Sequence, residues 1–253
     1  MGVLKGKTAL VTGGSRGIGR AVSERLARDG ALVAVHYGHD AAAARETVAG
    51  IEAAGGRAFA IGAELGVPGD AQALWAAYAA HPAATEGVDV LVNNAGGATF
   101  AGIAETDEET YQRVHALNAQ APFFVIKHGL DRLRDGGRIV NVTGTPDIAL
   151  PAILATVMAK GAVNALTVSL AAALAPRGIT VNSVGPGITE TDLNAAWLAD
   201  PAARAHAASR SVFDRVGTVD EVADVVAFLA SADSRWITGQ HLSATGGLQL
   251  ALL

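Results

Sequence analysis

Apolar runs of strand length alternate with helical patterns along almost the whole chain. The runs fall at residues 8–11, 32–36, 57–61, 88–92, 138–142, 179–184 and 237–243. Between the first two, Ile18, Val22 and Leu26 stand four apart, which places them on one face of a helix. Residues 41–54, 71–80 (with Leu74, Trp75 and Tyr78) and the Ala/Leu/Val-rich stretch 152–175 read as further helices. Strands apolar throughout, separated by helices, predict an α/β fold: a doubly wound parallel sheet covered on both faces.

Turn residues punctuate the same pattern. Asp29-Gly30, Gly55-Gly56, Gly136-Gly137 and the pair Pro176 and Gly178 stand where helices should stop. Thr106 with Glu109 reads as a capping box opening a helical region to about Leu133, and Thr218 with Glu221 as a second one opening a helix to Ala230. From 189 to 215 the pattern weakens around Pro201 and scattered charges, which suggests a lid beside a cleft. No linker or repeat divides the chain, so a single domain over 1–253 is expected.

Composition narrows the function classes. Half of the 253 residues are hydrophobic, enough for a large core. The net charge of −5, with no Lys/Arg run, argues against a nucleic-acid partner. There is no cysteine, so disulfides and thiolate chemistry are excluded, and no histidine pair at ligand spacing with a carboxylate suggests a metal. The N-terminal residues lack a secretory apolar core, and no apolar run reaches membrane-spanning length without polar interruption. A cytoplasmic protein with no membrane partner is the expectation.

The chemistry starts at Thr12-Gly13-Gly14-Ser15-Arg16-Gly17-Ile18-Gly19, between the first strand and the first helix. Glycines there let the backbone turn tightly and approach a pyrophosphate, and the free N–H groups of the helix N-terminus can hold the anion. An NAD site places a carboxylate at the end of the second strand, where it meets both ribose hydroxyls and repels a 2′-phosphate. Here that end reads Val35-His36-Tyr37-Gly38, without an acid, while Arg16 supplies a cation. NADP(H) is the expected cofactor and NAD(H) the less favoured one, with Asp40 close enough to keep the second open.

Further motifs follow in one order: Asn93-Asn94-Ala95-Gly96, Asn118, Lys160-Gly161-Ala162-Val163, Val181-Asn182 and Pro186-Gly187. With the glycine turn, they make the chain resemble the short-chain dehydrogenase/reductase family from about Leu4 onward. The resemblance implies a seven-stranded Rossmann-type sheet in which Gly13, Ser15, Arg16, Gly17, Ile18, Gly19 and Tyr37 attend the cofactor. It further implies Glu64 and Leu65 at the adenine, Asn94, Ala95 and Gly96 on the adenosine side, and Pro186, Gly187, Ile188 and Thr191 around the nicotinamide. Pro122-Phe123-Phe124-Val125 and the stretch 233–240 look like the branch of 3-oxoacyl and aromatic polyketide ketoreductases. That branch implies a small-molecule carbonyl or alcohol as substrate.

The family's members usually carry a catalytic Asn, Ser, Tyr and Lys. Asn118 and Lys160 match, but Thr156 stands four residues before the lysine, where the tyrosine belongs. For the serine, counting from Asn141 puts Gly144 in place, whereas counting back from Pro151 and Lys160 favours Thr143. A phenol has a pKa of about 10, within reach of a nearby cation; an aliphatic hydroxyl is far weaker and shorter. Three readings stay open. Another donor replaces the tyrosine: water held by Thr156 and Lys160, Asp147, or an acidic group of the substrate. Alternatively the protein is a catalytically silent NADP(H) binder, a sensor or partner subunit, or the change is a drifted substitution in an ordinary reductase.

The stretches 112–133 and 152–175 are apolar on more than one face, so each must bury a second side. The resemblance implies that these helices pair across a homodimer, and that dimers form a tetramer.

Overall fold

The computed structural model describes residues 2–145, 149–248 and 250. Seven strands form one parallel sheet: β1 (Thr8–Val11), β2 (Leu32–Tyr37), β3 (Arg57–Gly62), β4 (Val88–Asn93), β5 (Leu133–Val142), β6 (Thr180–Pro186) and β7 (His241–Ala244), in the order β3-β2-β1-β4-β5-β6-β7. Helices α1 (Gly17–Arg28), α2 (Ala41–Ala53), α3 (Asp70–Ala80), α4 (Glu108–His115), α5 (Ala121–Gly129), α6 (Leu154–Leu174), α7 (Asp192–Leu198), α8 (Pro201–Ser209) and α9 (Val219–Ala230) complete it. The expected doubly wound architecture is the one observed.

Strand alternation builds two cores. Ala9 and Val11 of β1 pack with Val22 and Leu26 of α1, Ile51 of α2 and Val226 of α9 on one face. Leu10, between them in sequence, joins Leu74, Trp75 and Tyr78 of α3, Ile126 of α5 and Leu174 of α6 on the other. Each fully buried Leu or Ile contributes about 1.5–3 kcal/mol relative to exposure, so the sheet is fixed from both sides. Strand order reverses between β1 and β4, and the C-terminal ends of these strands open the crevice where such folds bind ligands.

Several boundaries differ from the sequence reading. Asp107, not Thr106, caps α4: its carboxylate accepts from Thr110 N at 2.8 Å, while the Thr106 hydroxyl donates back to Gly102 O at 2.7 Å. The region expected to be helical to about Leu133 is broken by a π-turn at Ala116–Gln120 and ends with α5 at Gly129. Leu133 already belongs to β5, where it pairs with Val88 ahead of a register shift. The weakly patterned 189–215 stretch contains α7 and α8, packed around Leu198, Ala207 and Val216. The second capping box, Thr218 with Glu221, forms as expected.

The helical run Leu154–Arg177 has the length and mean hydropathy (1.5) of a membrane span, yet it docks on the sheet through Val163, Thr167, Ala171 and Leu174. Its outward face leaves Met158 and Val168 exposed.

Candidate active site

A cleft of about 940 Å³ runs along the C-terminal ends of the strands from the glycine turn to α6 and α7. One side is the loop between β1 and α1. Thr12 N donates to Val92 O at 3.0 Å, and the Thr12 hydroxyl accepts from Asn94 N and Ala95 N, both at 3.0 Å. Asn94 Nδ2 in turn donates to Thr12 O and Gly13 O, each at 3.0 Å. The turn is closed so tightly that a Cβ on Gly19 would lie 2.0 Å from Gly13 O and 2.4 Å from Asn94 Nδ2. Helix α1 then begins with no side-chain cap on its N-terminal amides and no acid in its first turn. Its unpaired donors and partial positive charge face the cleft at Gly17 and Ile18, which suits an anion.

Beyond the loop, Tyr37 lines the cleft at the end of β2, and Glu64 and Leu65 line it after β3. Asp40 caps α2 by accepting from Ala43 N at 2.9 Å and stands 3.9 Å from the Arg16 guanidinium. Glu64 lies 3.9 Å from His39. These charges form a mixed, solvated rim.

At the other end, α6 brings Thr156 and Lys160 to the wall one turn apart. Lys160 Nζ donates to Val142 O at 3.0 Å, and burial pushes its ammonium down to about 8. Thr156 Oγ1 accepts from Thr99 N at 3.4 Å. A Cβ on Gly96 would meet Asn118 Oδ1 at 2.6 Å and Lys160 Nζ at 3.0 Å, so only glycine lets the two groups converge there. Asn118 sits in the π-turn, a distortion frequent at functional sites. It lies behind the wall rather than on it: its Oδ1 accepts from Gly97 N at 3.1 Å and its Nδ2 donates to Val114 O at 3.0 Å.

Of the remaining sequence candidates, Gly13, Ser15, Arg16, Ala95, Pro186, Gly187, Ile188 and Thr191 line the same cleft, and Gly19 stands behind the loop. Both serine-position candidates line it too. Thr143 is buried with its hydroxyl 3.4 Å from Val184 O, whereas Gly144 brings no side chain. Thr145, buried on the same wall, was missed by the sequence reading, because nothing in its spacing marks it. So was the apolar rim of Phe100, Leu150, Ile153, Leu193 and Trp197, which comes from separate segments. Asp147 lies outside the described residues. None of the three tyrosines reaches Lys160: Tyr78 is buried against Thr85, Tyr111 stacks on His115, and Tyr37 stands at the glycine-loop end.

A glycine turn at the switch point of a doubly wound sheet defines a dinucleotide-binding fold. The sequence profile described as "Enoyl-(Acyl carrier protein) reductase" matches residues 13–249. An uncharacterized oxidoreductase of Methylorubrum extorquens is 39% identical over 98% of this chain and 100% of that protein. Hydroxynaphthalene reductase of Aspergillus fumigatus is 34% identical over 95% of this chain and 91% of its own. The angucycline C-6 ketoreductase LanV with bound NADP superposes with a TM-score of 0.93 at 46% identity, 98% of each chain being covered. LanV with NADP and rabelomycin gives 0.90 at 44% identity, again over 98% of each chain. The chain belongs to the short-chain dehydrogenase/reductase family.

Proposed function

We propose that the protein is an NADP(H)-dependent ketoreductase acting on the carbonyl or alcohol of a small, largely apolar molecule. One observation carries the reading: a single cleft holds an anion-ready glycine loop at one end and Lys160 with Thr156 at the other. The amides of Gly17 and Ile18 and the Arg16 side chain would hold phosphate groups. No acid ends β2, and the nearest one, Asp40, is engaged as a helix cap, which favours a 2′-phosphate. NADP in the LanV structures supports the same choice. Glu64, Leu65 and Asn94 would border the adenosine, and Pro186, Gly187, Ile188 and Thr191 the nicotinamide.

When bound, the dinucleotide supplies the hydride. The chain's own task is then to orient the carbonyl and deliver a proton to its oxygen. Thr156 stands where the family's tyrosine belongs and is too weak an acid to act alone. Lys160, with its ammonium near 8, can hold a proton at neutral pH and pass it through the Thr156 hydroxyl or a water between them. Of the two candidates for the serine position, Thr143 brings a hydroxyl able to orient the oxygen and Gly144 does not. The exposed rim of Phe100 and Leu193 suits a flat aromatic ring system, in keeping with rabelomycin in LanV. Helices α7 and α8 would act as the lid over it, and α5 and α6, which expose Phe123, Phe124, Met158 and Val168, would pair with a second copy in a dimer or tetramer.

Thr156 also favours a second reading, a silent NADP(H)-binding protein that serves as a sensor or partner subunit. NADPH consumption with a panel of polycyclic ketones and quinones separates the two. Turnover of any member supports the reductase; binding of NADPH without turnover across the panel supports the silent binder.

A further inference from the structure

In sequence, His36 is only an odd member of an apolar run, Leu-Val-Ala-Val-His-Tyr, and nothing so far assigns it a task. In the fold it is 1% exposed, the last buried side chain of β2 before the cleft. Both ring nitrogens are used. Gly13 N donates to Nδ1 at 3.0 Å, and Nε2 lies 2.8 Å from Ala63 O. A backbone N–H can only donate and a carbonyl can only accept, so Nδ1 must be bare and Nε2 must carry the proton. Only the neutral Nε2–H tautomer satisfies both partners.

The two partners belong to different walls of the cleft. On one side, Gly13 and Gly14 form the glycine turn; Gly14 N also donates to His36 O at 2.8 Å, and Gly13 O accepts from Asn94 Nδ2 at 3.0 Å. On the other side, Ala63 leads directly into Glu64 and Leu65, the residues that line the cleft after β3. The imidazole is therefore a crossbar between the loop that would hold the phosphates and the wall that would hold the adenine. A Val or Ile, the ordinary occupant of a buried strand, would leave the Gly13 amide and the Ala63 carbonyl without this partner.

We infer that His36 is a positioning residue for the dinucleotide, one that sets the glycine loop against the adenine wall and releases it when the ring is protonated. This rests on the reading of the cleft as a dinucleotide site. Burial pushes the His36 pKa down, so the neutral form is kept through the physiological range. The charged groups nearby do not bond to the ring. Arg16 of the glycine loop stands opposite Asp40, and His39 opposite Glu64, while the β4 exit contributes only the uncharged Asn93 and Asn94. Protonation would set an Nδ1–H against the Gly13 N–H, two donors face to face, and the amide would lose its acceptor. Loss of such a buried bond weakens binding on the order of ten- to a hundred-fold.

The test is NADPH titration by calorimetry from about pH 8 down to about pH 4 on the wild type, His36→Asn and His36→Leu, together with ¹⁵N NMR of the imidazole. Asn offers an acceptor to Gly13 and does not titrate; Leu offers nothing. The wild type should lose affinity toward acid more steeply than His36→Asn, whose remaining slope belongs to groups common to both proteins, among them Lys160 and the 2′-phosphate with its own pKa of about 6. His36→Leu should bind weakly at every pH, and the ring should show a bare Nδ1. Parallel slopes for the wild type and His36→Asn, or a protonated Nδ1 at neutral pH, would overturn the inference. The NMR result decides even if a variant fails to fold. Absence of NADPH binding to the wild type at about pH 8, with a bare Nδ1, would instead sink the dinucleotide reading and leave the crossbar standing.

Discussion

At the glycine loop, Thr12, Gly13 and Gly14 each donate their amide to a fixed acceptor at 3.0, 3.0 and 2.8 Å, and Asn94 clamps two of their carbonyls. At the far end of the same cleft, the backbone of Thr143 is fixed (its amide donates to Val184 O at 2.8 Å), but the side-chain hydroxyls of Thr156 and Thr143 make only long bonds of 3.4–3.5 Å, and the rim is apolar and open, with Phe100 65% and Leu193 54% exposed. The contrast follows from what each end must do. Phosphates need dipoles that are already aimed, because reorienting them costs affinity. An apolar substrate needs surface to cover and few bonds, which leaves that end free to vary in sequence. On the proposed reading, the departure from the family at Thr156 lies in the loosely held half, while the dinucleotide half keeps the glycine and Asn-Asn-Ala-Gly motifs.

The largest expected effect breaks the rigid end. Gly19→Val places a side chain where even a Cβ lies 2.0 Å from Gly13 O, so NADPH binding by calorimetry should fall below detection and the melting temperature should drop. Next comes Lys160→Met. If the ammonium is the proton source, reduction should slow by about 100- to 10,000-fold. The sign in pH follows from the charged form being the donor. The wild-type rate should hold below the Lys160 pKa of about 8 and fall above it, and the variant should lose that fall in its pH–rate profile. Smaller again, Arg16→Ala should raise the Kd for NADPH by roughly ten- to a hundred-fold while leaving NADH nearly unchanged, since a charge-assisted bond to one phosphate is at stake. Equal losses for both dinucleotides would remove Arg16 from the choice of cofactor.

The rigid half was also the more legible one. Apolar runs located every strand, and the glycine spacing located the tight turn before α1, because both depend on local rules. The misreadings occur where distant contacts decide. Leu133 looks helical beside Leu130 and becomes strand because Val88 pairs with it. Thr106 and Asp107 are both good caps, and only the bond of the Thr106 hydroxyl to Gly102 O, formed by the bend before α4, passes the task to Asp107. Alanine-rich α7 and α8 lack an amphipathic stripe, so their packing around Leu198 is invisible in the sequence. Asn118 was matched by its motif, but the π-turn that carries it and the bonds of its side chain to Gly97 N and Val114 O are not legible in the spacing.

The central claim is that the dinucleotide end is intact and that only the proton-delivering group has changed. It is tested most directly by single-turnover NADPH oxidation with the best substrate, comparing the wild type with Thr156→Tyr. The account predicts equal NADPH affinity in the two proteins and a gain of about 100-fold or more in the chemical step for the tyrosine variant. Equal affinity with no gain would contradict it, because Thr156 would then not stand at the position of the missing acid.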